Sequence, residues 1–190
     1  MSSKSSDGNP KRALIVVDMS IEQVANLPSP HKENIIASIR NLASTPGWEL
    51  KIDSRLWIGS PTESTLSLAY PECGTSLGVA ESHGAGLIPE LHDLGLVFVK
   101  KKHFSSFVDS DLEERLDRAE IESVVIAGIN TDFCIFLTAM DAFARCKLNT
   151  VIIEEAVGSY RGNAAHEEGI KRLKEHLPEG SVRTLSAYNS

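Results

Sequence analysis

Short apolar runs recur along this chain, and most are followed by a stretch whose apolar residues repeat at helical spacing. "ALIVVD" (Ala13–Asp18) is unbroken by polar residues, the pattern of a strand buried on both faces. Ser29-Pro30 then offers an N-cap and a first-turn proline to "HKENIIASIRNLA", where Ile35, Ile36, Ile39 and Leu42 share one helical face. "ELKIDSRLW" and "LVFVKK" predict two further strands, and "GLIPELHDLG" a short helix ended by Gly95. Between them, residues 59–85 form a Ser/Gly/Thr-rich excursion longer than most connections, which marks a functional loop that could wall a pocket or an interface. "DSDLEERLDRA" predicts a helix capped by acidic residues. In "SVVIAGINTDFCIFLTAMDAFARC" a β-branched run stops at Gly128, and from Asp132 Phe133, Phe136, Leu137, Met140 and Phe143 predict one broad apolar helix face. The strand "TVIIEEA", the amphipathic "AAHEEGIKRLKEHL" and a last strand around "SVRTL" complete the pattern.

Alternating strands and helices with doubly buried strands predict an α/β fold: a three-layer α/β/α sandwich around a parallel sheet of about six strands. A chain of 190 residues suits one domain, here 13–190, and is short for an eight-unit barrel. The polar start "MSSKSSDGNPKR" reads as a disordered arm over 1–12.

Composition removes whole classes of partner. The net charge is −7 and no Lys/Arg stripe recurs at helical spacing, which argues against nucleic acid. No apolar run approaches the roughly 18 residues of a membrane span, so no membrane partner is expected. Cys73, Cys134 and Cys146 are odd in number and lack metal-type spacing, which implies a reducing cytoplasm rather than a disulfide framework. The N-terminus lacks the apolar core of a secretory leader, and leaderless export stays open.

Candidate chemistry gathers at strand ends, where ligands bind in open parallel sheets. The first strand ends on Asp18, the "LVFV" strand runs into Lys100 and Lys101, and Cys134 follows the "SVVIAG" strand in the first turn of a helix. A carboxylate can take a thiol proton, and an ammonium or a helix N-terminus favours the thiolate. Cys134 is either such a nucleophile or a small core hydrophobe. The residues alone point to a thiol hydrolase or transferase acting on a small molecule.

"ALIVVDM", the Lys-x-x-x-Ser-(small)-Phe stretch "KKHFSSF" and "VVIAGINTDFCIFLTAMDAF" resemble the three signature blocks of the isochorismatase-like hydrolases, with Gly128, Thr131, Cys134, Thr138, Asp141 and Ala142 in matching places. The resemblance spans about Ala13 to Ala187. It implies Asp18 as general base, Lys101 (four before Ser105) as catalytic lysine and Cys134 as nucleophile. It also implies a cis peptide at Ile129–Asn130 that aims the Asn130 and Cys134 N–H groups at a developing oxyanion. Asn130, Ile129, Arg55 and Phe107 are the candidate substrate-binding positions, and a homo-oligomer is implied.

Departures from the family pattern matter as well. Ser20-Ile21-Glu22 stands where Gln-Asn-Asp is usual. Nicotinamidase-type relatives hold a metal through Asp-Trp-His and a His before a cysteine, but this chain has Leu56-Trp57-Ile58 and Glu72. His83, His92, His103, His166 and His176 are scattered, so no metal and no cofactor is expected. The leading expectation is metal-free hydrolysis of isochorismate to pyruvate and 2,3-dihydroxy-2,3-dihydrobenzoate, with Asp18 protonating the vinyl ether and Lys101 and Arg55 pairing with carboxylates. A cysteine amidase working through a thioester is the alternative, and a non-catalytic interaction protein the third.

Overall fold

The computed structural model describes residues 10–28 and 31–190. The elements are β1 (Arg12–Val17), α1 (Ile21–Val24), α2 (His31–Ser44), β2 (Leu50–Leu56), α3 (Leu66–Ala69), β3 (Val97–Lys101), α4 (Leu112–Arg118), β4 (Ser123–Ile129), α5 (131–145), β5 (Asn149–Gly158), α6 (Asn163–His176), β6 (Val182–Arg183) and α7 (Leu185–Asn189). The six strands pair in parallel in the order β3-β2-β1-β4-β5-β6. Strand alternation divides the interior in two. Ala13, Ile15, Val17, Val124 and Ile126 pack on one face with α4, α5 and α6. Leu14, Val16, Val125 and Ala127 pack on the other against Ile35, Ile36, Ile39 and Leu42 of α2. This is the expected three-layer α/β/α sandwich.

Several boundaries differ from expectation for identifiable reasons. Ser29 and Pro30 lie outside the described residues, as do residues 1–9 of the expected arm. Lys11 and Arg12 are held: the Lys11 carbonyl accepts from Glu122 N and Ser123 N at 2.9 and 3.2 Å, and Arg12 opens β1. Gly128 does not stop its strand. It adopts φ +111° beneath β1, where a Cβ would lie 2.1 Å from the Val17 carbonyl oxygen, so the absence of a side chain lets β4 continue to Ile129. Asp111 makes no side-chain cap on α4; it pairs with Arg115 at 2.6 Å, and Ser110 Oγ accepts from Leu112 N instead.

The helix α5 also presents a different face. Ile135, Phe136, Thr138, Ala139 and Ala142 are buried, while Leu137 and Phe143 are exposed. Its first and last turns are wide, with Ile135 N bonded to Asn130 O and Cys146 N to Asp141 O, both i→i+5 at 3.0 Å. Each wide turn inserts a residue and rotates the later side chains out of the regular 3.6-residue phase.

Strand order reverses between β1 and its neighbour β4, and the crevice at such a switch point opens beyond the carboxyl ends of the strands. Asp18 leaves β1 there, and α5 starts there after β4.

Candidate active site

Asp18, Lys101 and Cys134 meet at this crevice. Asp18 turns out of β1 with φ +54°, a left-handed conformation uncommon outside glycine, and its N–H donates to Ser54 O at 2.8 Å. Its Oδ1 accepts from Leu56 N at 3.0 Å. Lys101, last residue of the edge strand β3, reaches beneath β2 to bring Nζ within 2.7 Å of Asp18 Oδ2. That contact is an ion pair without a well-aligned hydrogen bond to Oδ2. Lys101 Nζ also donates to His103 O at 3.0 Å and to Cys134 Sγ at 3.5 Å. Asp18 and Lys101 are fully buried, and Cys134 nearly so.

The other residues of the matching motifs act as ties. Ser105 Oγ donates to Asp141 Oδ2 at 2.5 Å and Ser106 N to Thr138 Oγ1 at 3.0 Å, fastening the lysine loop to α5. Thr131 Oγ1 lies 2.9 Å from His166 Nδ1, and α6 packs so closely there that a Cβ on Gly169 would come 2.7 Å from the Thr131 carbonyl carbon. The Ile129–Asn130 peptide is cis.

Burial decides the resting state of the thiol. It pushes Cys134 up to about 12; Lys101 opposes this, while Asp18 adds to it by its charge and as a hydrogen-bond acceptor. The thiolate expected from the helix N-terminus and Lys101 is thus opposed by burial, which favours the neutral thiol. Burial also disfavours the Lys101 ammonium, but Asp18 and Cys134 outweigh it and raise Lys101 above its ordinary value.

A cavity of about 240 Å³ opens above Cys134. Its apolar wall carries Leu56, Leu66 and Leu77, together with Phe104 stacked on Phe133 at 5.1 Å and Tyr70 edge-on to both. Leu66, Tyr70, Glu72, Cys73 and Leu77 come from the 59–85 excursion, which serves as a pocket wall. Asn130 lines the cavity, its Oδ1 accepting from Tyr160 N at 3.0 Å.

Three expected substrate contacts lie elsewhere. Arg55 sits one residue before the cavity-lining Leu56 and so faces the other side of the sheet, paired with Asp53 at 2.7 Å and with the Ala85 carbonyl. Phe107 is buried in the core under α5, and Phe104 of the same motif is the aromatic in the cavity. Ile129 is fully buried in the opposite core layer. Sequence reasoning missed Gln23, Tyr70, Glu72, Phe104, Phe133 and Tyr160 as lining residues. Phe104 and Phe133 lay inside quoted motifs and were within reach; Gln23, Tyr70 and Tyr160 come from loops and a short helix with no periodic signal.

The positions that hold a metal in nicotinamidase-type relatives do not fit one here. Leu56 and Ile58 are apolar and buried, leaving Glu72 as a single acid. Among the described residues no three His, Cys, Asp or Glu side chains group to hold a metal ion. No helix among them is long and apolar enough to cross a membrane.

Residues 69–185 match the family described as Isochorismatase domain. The chain belongs to the isochorismatase family. It is accordingly an enzyme, a hydrolase of the isochorismatase-like kind. A Bacillus subtilis (strain 168) relative, the uncharacterized isochorismatase family protein PncA, is 32% identical over 69 residues, a match covering 36% of this chain and 37% of that protein. The structure of an isochorismatase family protein from Desulfovibrio vulgaris subsp. vulgaris str. Hildenborough superposes with a TM-score of 0.78 at 25% identity, covering 95% of this chain and 97% of the other. N-carbamoylsarcosine amidase from Thermoplasma acidophilum superposes at 0.74 and 22% identity, over 92% and 96% of the two chains. At that identity the likeness speaks for the fold alone.

Proposed function

We propose that the protein is a cysteine amidase that hydrolyses a small amide or carbamoyl compound through a thioester, without a metal ion. The observation that carries this reading is a buried thiol 3.5 Å from an ammonium that is itself 2.7 Å from a buried carboxylate, at the floor of a small cavity. In the reaction Asp18 takes the Cys134 proton as sulfur attacks the carbonyl carbon, so that no free thiolate has to exist beforehand. The oxyanion forms against the Asn130 and Cys134 N–H groups. On collapse the C–N bond breaks, and protonated Asp18 gives its proton to the leaving nitrogen. Water then attacks the thioester with Asp18 as base, releasing the acid and returning the proton to sulfur. Lys101, 2.7 Å from Asp18 Oδ2, holds the carboxyl group in place throughout.

Isochorismate hydrolysis is the weaker reading. Its substrate would bring two carboxylates, and the described residues around the cavity offer them no unpaired cation. Lys101 is sealed under Cys134 in its pair with Asp18, while Arg161 is paired with Asp132 at 2.6 Å and lies over Phe133 at 4.9 Å.

Offering the purified protein isochorismate and a panel of small amides, with and without chelator, tests the reading. Amide turnover with a chelator-insensitive acyl-enzyme on Cys134, seen by mass spectrometry, is expected. Isochorismate turnover that survives Cys134→Ala, with no amide turned over, would overturn it. Self-association is part of the same proposal, supported by the exposed Leu68, Leu137 and Phe143, and light scattering showing a monomer at high concentration would remove it.

A further inference from the structure

One polar group in the cavity has no partner. Gln23 is 2% exposed and lies at the cavity with Cys134, yet its buried Nε2 meets no hydrogen-bond acceptor. A buried, unpaired amide is destabilising, so a native one calls for an explanation. Mobility does not supply it, because α1 is bolted in place. Ile21 N donates to Gly86 O at 2.9 Å and Glu22 N to Gly84 O at 3.0 Å. The Glu22 carboxylate accepts from Gly78 N at 2.5 Å, and Ser20 Oγ accepts from Gln23 N at 3.4 Å. Glu22 thus faces the 59–85 excursion, and Gln23 is committed to the interior. None of the described side chains around the cavity accepts from it, the polar Tyr70, Glu72 and Tyr160 included, and Asn130 Oδ1 is already taken by Tyr160 N.

We propose that Gln23 determines specificity, donating from Nε2 to an acceptor oxygen on the non-reacting part of a small neutral amide whose reacting carbonyl lies at Cys134. This rests on the amidase reading above. Neutrality follows from the charges: the lining cation Arg161 is paired with Asp132, and Glu72 would repel an anion at the mouth. Small size follows from the volume, about 240 Å³. The acceptor follows from the orphan donor. The substrate class is therefore a compact amide with a second carbonyl group, such as a diamide or an acylurea.

Matched probes test this. Malonamide and succinamide each carry a second carboxamide; isovaleramide and 4-methylpentanamide replace that group by an isopropyl group of similar shape. Binding is measured by calorimetry on Cys134→Ala protein, which needs no turnover, and kcat/KM on the protein with its thiol intact. Adding Gln23→Met is expected to weaken malonamide or succinamide binding about tenfold to hundredfold, while the isopropyl amides bind as well or better. Ligand-free Gln23→Met should melt no lower than the parent, since an orphan amide has been replaced by an apolar chain; Gln23→Leu repeats the comparison with a different shape. Equal losses on both probe pairs, no binding of either diamide, or a large fall in the melting temperature of both variants would overturn the inference. Gln23-dependent binding with no acylation of Cys134 would instead sink the amidase reading and leave Gln23 only as a donor to the bound diamide. Turnover indifferent to Gln23 would do the reverse.

Discussion

Two buried ion pairs lie close together in this fold, and only one belongs to the candidate site. Asp18–Lys101 and Asp53–Arg55 are each 2.7 Å apart with side chains almost wholly buried. The Arg55 pair is closed on every side: Arg55 also donates to the Ala85 carbonyl and lies over the Phe98 ring at 4.5 Å, and no reactive group touches it. Burial pushes the Asp53 carboxyl up, with Arg55 opposing. The Lys101 pair has a third member, the Cys134 thiol, and a cavity above it. Buried charge alone does not mark a catalytic centre. A reactive group with an open approach does, and Lys101 and Arg55 differ in that respect although they pair across β2 and β3 within one residue of register.

The largest effect should fall on chemistry. Cys134→Ala is expected to lower amide turnover by roughly four orders of magnitude or more with the fold intact by circular dichroism. Asp18→Asn should do nearly as much, because it keeps the shape but cannot take the proton. Retained turnover in either would erase the distinction between the two pairs.

Arg55→Met should show the opposite profile. Stranding Asp53 as an unpaired buried acid is expected to cost about 3–5 kcal/mol in urea unfolding, with turnover per folded molecule unchanged. Replacing both partners, Asp53→Leu with Arg55→Met, should recover much of that loss. A fall in kcat/KM without a fall in stability would move Arg55 back into the site.

A smaller effect is expected from alkaline pH. The folded protein holds the Cys73 thiol at about 11 and the Cys134 thiol at about 12, against 9.0 ordinarily. As pH rises the unfolded chain loses these protons first, so the stabilisation is complete below the ordinary thiol value and is lost as pH climbs through the folded values. Stability measured upward from that ordinary value should decline, and the double variant Cys73→Ala/Cys134→Ala should flatten the decline. The smallest test is labelling: at neutral pH iodoacetamide should modify the half-exposed Cys146 before the buried Cys134. The reverse order would mean that the thiolate is populated at rest.

The amino-acid sequence by itself determined the layers of this protein and the strand ends that bear its chemistry. Unbroken apolar runs such as "ALIVVD" can satisfy only a strand covered on both faces, and the helical repeats between them supply the covers. Asp18, Lys101 and Cys134 were readable because a parallel sheet delivers every carboxyl end to one edge. Tertiary structure alone decided which face each neighbour took. Arg55 and Leu56 differ by one residue, and only the placement of β2 against the cavity sends Leu56 in and Arg55 away. Wide turns in α5 changed which residues it buries, because one inserted residue shifts every later side chain. The thiol's protonation also escaped the linear pattern: position at a helix start favours the charged form, whereas burial, a property of the whole packed chain, opposes it and prevails.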